Sequence, residues 1–224
     1  MKKIMFSDKF SLTQAVLDGR KTMTRRIITD KKLHYWKCSC PDMVIVRVPD
    51  SNKINTGDDN AYFGIKEKIS DGYYCDTIVS PYKVGEVVAI AQSYMDIDRF
   101  HRKGKNSAYL EYLDSILPEL KLYPGWGNKM FVKADLMPHH IEITDIKIER
   151  LQDISDEDCL KEGIIHAYTD NNGIKIYHTP HTKRGYLSTD VAQQAFAALI
   201  DKISGKGVFQ SNPFVFVYEF VLVD

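Results

Sequence analysis

The segment at positions 214–223, FVFVYEFVLV, constrains the fold most, because it is apolar on both faces of an extended chain. Side chains alternate across a strand, so the aromatic residues of this segment share one face and its valines occupy the other. A strand that is apolar on both faces is covered on both faces. We therefore expect a buried strand here.

The order of the other predicted elements argues against a regular alternation of strands and helices. A short helix at 11–18 precedes a strand at 21–28, and most further strands come before a long amphipathic helix at 189–203. A doubly wound parallel sheet would need repeated βαβ units. The order favours an α+β fold, with a mixed or mostly antiparallel barrel and helices at its ends.

Several local signals predict where elements begin and end. Ser11 and Ser155 are placed to cap helices, and Asp158 could supply the acidic half of a capping box. Gly19 and Gly163 are placed to end those two helices. The segment 130–137 is predicted as a strand, 43–48 as a strand within hairpins, 106–117 as a helix and 166–188 as a loop.

Charge is balanced overall but not along the chain. Thirty Lys and Arg oppose thirty Asp and Glu, which disfavours a general binder of polyanions. Residues 1–32 hold nine bases and three acids, whereas 135–162 hold nine acids and three bases. The two segments either face each other or form separate surfaces, of which the ordinary kind is a solvated face.

The four cysteines are sparse and irregularly spaced, which is not typical of a secreted disulfide framework. The basic start is interrupted by Asp8 and Lys9 before an apolar core of a signal peptide forms. No apolar stretch approaches the roughly 18 residues of a membrane span. We expect a cytoplasmic protein without a membrane partner.

The densest functional pattern is GRKTMTRR, at positions 19–26, which packs four cations and two hydroxyls into eight residues. Lys21 and Thr24 would lie on opposite faces of a regular strand, so they can cooperate only if the first residues form a loop. A desolvated, neutral lysine can remove the proton of a threonine hydroxyl and make it a nucleophile. The alternative is a basic turn whose cations are solvated or paired.

The acidic helix that begins after Ser155 offers a carboxylate. Acids in its first turn suit the helix dipole, but Glu162 lies in the last turn, where the dipole disfavours a negative charge. Glu162 is therefore the acid that the pattern singles out.

Metal binding is a weaker possibility. Cys38, Cys40, His34 and Cys75 could form a zinc site, but the C-x-C spacing and the missing second pair are not typical of one. We expect no metal and no cofactor. Aromatic residues such as Tyr94, Tyr123 and Trp126 could stack on bases, although packing in the core is their usual role.

Four segments, in order, resemble the ASCH domain, a relative of the PUA domain. They are LDGRKTMTRR, YKVGEVVAIAQSY, IEITDIKIERLQDISDEDCLKEGI and FQSNPFVFVYEFVLV. The chain is most similar to the larger members from bacteria and their phages. The resemblance implies one PUA-like β-barrel domain over 1–224 with flanking helices, and insertions at 29–80, 95–125 and 166–188.

One branch of that family consists of metal-independent amidohydrolases that deacetylate N4-acetylcytidine with a lysine, a threonine and a glutamate. The resemblance places these roles on Lys21, Thr24 and Glu162. It also implies that Arg20 and Arg26 anchor a phosphate or orient the base.

The run Arg-Glu-Thr-Trp, common after the turn in larger members, is Ala-Gln-Ser-Tyr here, so substrate contacts would fall on Gln92, Ser93 and Tyr94. Two functions follow as expectations: an amidohydrolase for an N-acylated pyrimidine nucleoside, or a non-catalytic module that binds single-stranded RNA or a modified base. A third reading, an interaction protein of a mobile element, has no positive feature in the sequence.

Overall fold

The computed structural model describes residues 1–31, 33, 43–48, 61–67, 74–104, 111–112, 114–116, 119, 121–180 and 185–223. Its strands lie in three sheets. The strands are β1 (Lys3–Ile4), β2 (Met23–Ile27), β3 (Met43–Arg47), β4 (Tyr62–Glu67), β5 (Asp76–Val79), β6 (Val87–Ile90), β7 (His140–Arg150), β8 (Ile165–Thr169), β9 (Lys175–His178), β10 (Ser188–Thr189) and β11 (Phe214–Leu222).

Two of the described helices, α2 and α4, are longer than ten residues. The helices are α1 (Leu12–Leu17), α2 (Tyr94–Gly104), α3 (Asp156–Lys161), α4 (Ala192–Ser204) and α5 (Val208–Ser211). The helix predicted at 106–117 falls largely outside the described residues.

The main sheet has five strands in the order β1-β6-β7-β11-β2. The β1–β6 pair is parallel and the other pairs are antiparallel. Strand β11 lies between β7 and β2, and Val215, Val217 and Tyr218 in it are fully buried. The expectation of a buried strand is confirmed, and β2 is left at one edge of the sheet.

The two smaller sheets lie in predicted insertions. Strands β3, β4 and β5 form antiparallel pairs within 29–80, which confirms the predicted hairpins. Strands β8, β9 and β10 also form an antiparallel sheet, so the loop predicted at 166–188 is wrong. These strands are mostly exposed and only Tyr177 is buried, so they carry little of the apolar alternation that marks a strand.

Helix ends are predicted well where glycine decides them. Gly19 and Gly163 have positive φ values of 70° and 103°, as residues that end helices do. The Ser155 hydroxyl accepts a hydrogen bond from Asp158 N and caps α3. The predicted Ser11 cap is wrong, because Ser11 is itself left-handed (φ 53°) and its side chain makes no capping bond.

The strand predicted at 130–137 is also wrong. The chain instead forms two 3₁₀ turns, at Lys129–Phe131 and Ala134–Leu136. The first begins where the Asn128 side chain accepts a hydrogen bond from Met130 N. A local cap of this kind competes with a strand ladder for the backbone groups.

One hydrophobic cluster contains residues from all three sheets and from helices α1 and α4. Phe63 of β4 packs edge-on against Phe216 on one face of the main sheet. On the opposite face of the sheet, the Arg25 guanidinium lies 5.9 Å from the centre of the Phe196 ring of α4. The main sheet is therefore covered on both sides, and the α+β class is confirmed.

Among the described strands no closed barrel is formed, and the barrel stays a prediction. The two edges nonetheless approach each other, because Arg26 of β2 donates a hydrogen bond to the carbonyl of Met5, just after β1. In the described part of the chain, no helix has the length and apolar character required to cross a bilayer.

Candidate functional site

Lys21 enters the protein interior just before β2. Its side chain is 2% exposed. The ammonium donates three hydrogen bonds, to Glu162 Oε2 at 2.6 Å and to the carbonyls of Glu162 and Met23 at 2.8 Å. The loop that the sequence required is present, because Gly19 turns the chain out of α1.

Glu162 meets Lys21 from the end of α3. It is the C-terminal cap of that helix, and Gly163 then reverses the chain. Its second carboxylate oxygen, Oε1, accepts from Arg25 Nη1 at 3.3 Å. Two cations therefore offset the unfavourable position of this carboxylate at the helix C-terminus.

Arg25 is the residue that the sequence did not single out. Its side chain is 1% exposed, and Nη2 lies 2.6 Å from Glu149 Oε1 and 2.9 Å from Asp158 Oδ2. Although burial opposes the charge, the carboxylates of Glu162 and Glu149 outweigh it and raise the pKa of Arg25. Its fixed fork of donors suits several carboxylates at once.

This network also settles how the two charged segments are related. Lys21 and Arg25 belong to the basic segment, and their partners Glu149, Asp158 and Glu162 belong to the acidic one. The basic and acidic segments therefore face each other. Asp158 consequently gives its carboxylate to Arg25 instead of closing a capping box.

The environment of Lys21 disfavours its charge. Burial lowers the pKa of the Lys21 amine, and the positive charges of Arg26 and Arg25 add to this effect. Glu162 opposes the change through its charge and its hydrogen bond, but the net direction is downward.

Thr24 lies on the edge strand β2. Together with Lys21 and Glu162 it lines a cavity of about 250 Å³ between β2 and α4. Its side chain is 5% exposed, and among the described residues the Thr24 hydroxyl has no hydrogen-bond partner. Phe6 and Phe196 supply aromatic walls to the same cavity.

Arg26 also lines the cavity. It donates to the Met5 carbonyl, and its guanidinium lies 5.7 Å from the centre of the Phe6 ring. Burial lowers the pKa of Arg26. Of the predicted substrate contacts, Arg26 is thus the one that the structure brings to Lys21, Thr24 and Glu162.

The other predicted substrate contacts lie elsewhere. Arg20 is exposed and pairs with Asp18 at 2.8 Å. The Ser93 hydroxyl caps α2 by accepting a hydrogen bond from Asp96 N at 3.2 Å, and it donates to Asp96 Oδ2 at 2.6 Å. Tyr94 packs its ring against Gly125, where a Cβ would lie 2.6 Å from the ring. Gln92 is buried and lines a different cavity.

A metal has no ligand set in the described residues, among which no group of three His, Cys, Asp or Glu could hold one. Three of the four residues of the possible zinc site lie outside the described residues: His34, Cys38 and Cys40. The fourth, Cys75, is described and is exposed. Burial raises the pKa of the Cys159 thiol to about 12, which leaves that cysteine unreactive near neutral pH.

The chain matches no family model, no curated protein and no solved structure.

Proposed function

We propose that the protein is a metal-independent amidohydrolase that removes the acyl group from an N4-acetylcytidine-like nucleoside. The observation that carries the proposal is that Lys21, Thr24 and Glu162 line one cavity, with Lys21 held by Glu162 at 2.6 Å. A nucleophile beside a base that a third group orients is the arrangement of covalent catalysis. We also propose that the main sheet belongs to a PUA-like barrel of the ASCH type.

The first step of the proposed reaction prepares the base. The Lys21 ammonium passes one proton to Glu162 Oε2 along their short hydrogen bond, which leaves a neutral amine. This transfer is favoured by the burial that lowers the pKa of Lys21. The neutral amine is then free to accept the Thr24 proton.

Acyl transfer follows at Thr24. As Lys21 takes the hydroxyl proton, Thr24 Oγ1 bonds to the acetyl carbon and the carbonyl electrons move to oxygen. A guanidinium donor of Arg26 stabilises this oxyanion from the cavity wall. The carbonyl then re-forms, the carbon–nitrogen bond breaks, and the departing N4 takes the proton held by Lys21.

Water completes the cycle. Lys21 removes a proton from water as its oxygen attacks the acetyl-threonine ester. The ester bond to Thr24 breaks, Lys21 returns the proton to Thr24 Oγ1, and acetic acid leaves and loses its proton to solvent. The cavity of about 250 Å³ lies just below the usual range of about 300–1,000 Å³, so it suits an acylated base rather than a folded RNA.

One observation favours the second candidate, a module that binds a modified base or single-stranded RNA without chemistry. Lys21 Nζ has three acceptors at 2.6–2.8 Å, which matches the three donors of an ammonium ion. A lysine that stays charged cannot accept the Thr24 proton. Its role would then be structural, and the cavity would only bind.

A turnover assay with paired Thr24 variants separates the two candidates. Purified protein is incubated with N4-acetylcytidine, with and without a chelator, and free cytidine is measured by chromatography. We expect release that the chelator leaves unchanged. Thr24→Val should abolish it, because the nucleophilic oxygen is gone, whereas Thr24→Ser should retain part of it.

Thr24→Val is a suitable test because the Thr24 hydroxyl has no partner in the described residues, so its loss leaves no polar group unpaired. Lys21→Ala should also abolish release. Equal turnover by Thr24→Val and wild type would overturn the mechanism. Absence of turnover, with binding of the nucleoside preserved in Thr24→Val, would establish the binding module instead.

A further inference from the structure

A second cavity lies apart from the one around Lys21, between α1, α2 and the ends of β6 and β7. Its volume is about 900 Å³, within the range of about 300–1,000 Å³ of small-molecule sites. It shares none of its lining residues with the first cavity. The deacylation proposal does not use it.

Two of the residues that line this second cavity, Gln92 and His139, each carry a buried polar atom without a partner among the described residues. Strands β6 and β7 are antiparallel with Ala89 opposite His140, so the chain just after β6 lies beside the chain just before β7. Gln92 and His139 occupy these positions. Gln92 is 7% exposed, and its Oε1 and the buried Nδ1 of His139 have no partner among the described residues.

An aromatic ring stands next to these atoms. The Phe100 ring from α2 lies 4.7 Å from the His139 ring, centre to centre, and is edge-on to it. Phe100 is 41% exposed although it lines the cavity. An accessible aromatic face beside hydrogen-bonding groups is the usual arrangement for holding a planar heterocycle.

Two cations and two acids line the mouth of the second cavity. Arg99 and Lys103 of α2 lie on it, together with Asp8 and Asp96. Asp8 is held by Lys129 at 2.8 Å. Asp96 accepts from the Ser93 hydroxyl and lies 3.5 Å from Arg99. Lys129 therefore compensates Asp8 and Arg99 compensates Asp96, which leaves Lys103 as the uncompensated cation of this lining among the described residues.

We infer that the second cavity binds a nucleotide whose base carries an exocyclic amino group. The Gln92 amide rotates so that Oε1 faces the cavity and accepts from the amino group, the base stacks on Phe100, and the phosphate lies at Arg99 and Lys103. Glutamine reads base edges through its planar amide, and cations bind phosphate without regard to sequence. The nucleotide is either free or one unit of an RNA strand.

Methyl NMR with isoleucine and leucine labels tests the inference, because leucines line both cavities. Leu17 and Leu222 report on the second cavity, whereas Leu12 and Leu199 report on the first. On titration with cytidine monophosphate we expect the methyl signals of Leu17 and Leu222 to shift and to reach saturation. Absence of shifts, or shifts confined to Leu12 and Leu199, would overturn the inference.

Gln92→Leu is the decisive variant. It removes an unpartnered polar group, so it should fold at least as well as wild type. We expect this variant to weaken the binding of cytidine monophosphate at least tenfold. We also expect wild type to prefer this ligand to uridine monophosphate, which has an oxygen in place of the amino group. Equal affinities in either comparison would contradict the role of Gln92.

Lys103→Gln tests the mouth of the cavity and oligocytidylate tests the source of the nucleotide. The variant should weaken the binding of cytidine monophosphate severalfold at low salt and leave the binding of cytidine unchanged. Equal effects on the two affinities would contradict the phosphate site. Tighter binding of a cytidine pentamer than of the monophosphate assigns the site to RNA, and the reverse assigns it to a free nucleotide. Either readout is independent of turnover at Thr24, so the two proposals fail separately.

Discussion

The buried charges of the cavity around Lys21 and the buried neutral polar atoms beside the cavity around Gln92 are satisfied in opposite ways. In the first, the buried charges of Lys21, Arg25 and Glu162 are all paired within the chain. In the second, Gln92 Oε1 and His139 Nδ1 are buried without a partner among the described residues. A buried network that is complete holds its own geometry, whereas buried polar groups without partners cost stability.

The largest effect should come from breaking the complete network at Arg25. Arg25→Met leaves the carboxylates of Glu149, Asp158 and Glu162 without their shared cation. Removing one member of a buried ion pair costs about 3–5 kcal/mol, because an uncompensated charge remains. We expect a loss of this size in the free energy of unfolding, measured with urea.

Arg20→Met is the matched control, five residues away in the same motif. Arg20 pairs with Asp18 at 2.8 Å, but both side chains are at least 40% exposed. Surface pairs contribute about 0–1 kcal/mol. Similar losses in the two variants would mean that burial does not distinguish Arg25 from a surface cation.

A smaller effect is expected where the chain positions Glu162. Gly163 has a φ of 103°, and a Cβ there would lie 3.2 Å from Leu12 Cδ2 and 3.8 Å from the Lys21 side chain. Gly163→Ala combines backbone strain of about 1–3 kcal/mol with this contact. We expect lower stability in thermal unfolding and lower turnover.

Gly173→Ala separates the two causes. Gly173 also has a positive φ, 83°, but a Cβ there meets no atom within 4 Å. We expect a smaller loss of stability than in Gly163→Ala and unchanged turnover. A larger loss in Gly173→Ala would contradict the steric part of the argument.

The incomplete network predicts a gain instead of a loss. Without ligand, Gln92→Leu should raise the free energy of unfolding by about 1 kcal/mol, because a buried polar group without a partner is removed. Ser93→Ala should lower it by about 1 kcal/mol, since the Ser93 hydroxyl caps α2. Urea unfolding of both variants measures these opposite signs for adjacent residues.

Much of the main sheet could be predicted from the sequence, because its strands carry strong apolar patterns. The segment of β11 is apolar on both faces, and the glycines after α1 and α3 mark where those helices end. Strands β8 and β9 could not be predicted in this way. They are largely exposed, with Tyr177 as their one buried side chain, so they lack the apolar alternation that predicts a strand.

The site was predictable only where local chemistry identified a residue. Lys21, Thr24 and Glu162 stood out by their residue types and positions, and the structure places them around one cavity. Arg25 did not stand out, because its partners Glu149 and Asp158 lie more than a hundred residues away in sequence. The excess of acids at 135–162 was the signal that could have paired it.

The last and smallest effect concerns the protonation of Lys21. Because burial and nearby arginines lower its pKa, Lys21 should release its proton below the ordinary lysine value of 10.5 as the pH rises. Lys147 offers an internal comparison. Although burial opposes its charge, Glu149 and Asp158 outweigh this and raise the pKa of Lys147, so it should lose its proton at a higher pH than Lys21.

Lysine ¹³Cε NMR follows both groups, with Lys147→Arg to assign the Lys147 signal. Arg26→Gln removes one of the charges that repel the proton of Lys21, so its midpoint should move upward while that of Lys147 stays in place. A Lys21 midpoint at or above 10.5 in wild type would mean that the Glu162 ion pair outweighs burial, and the lysine of this cavity would then serve as a fixed cation rather than as a base.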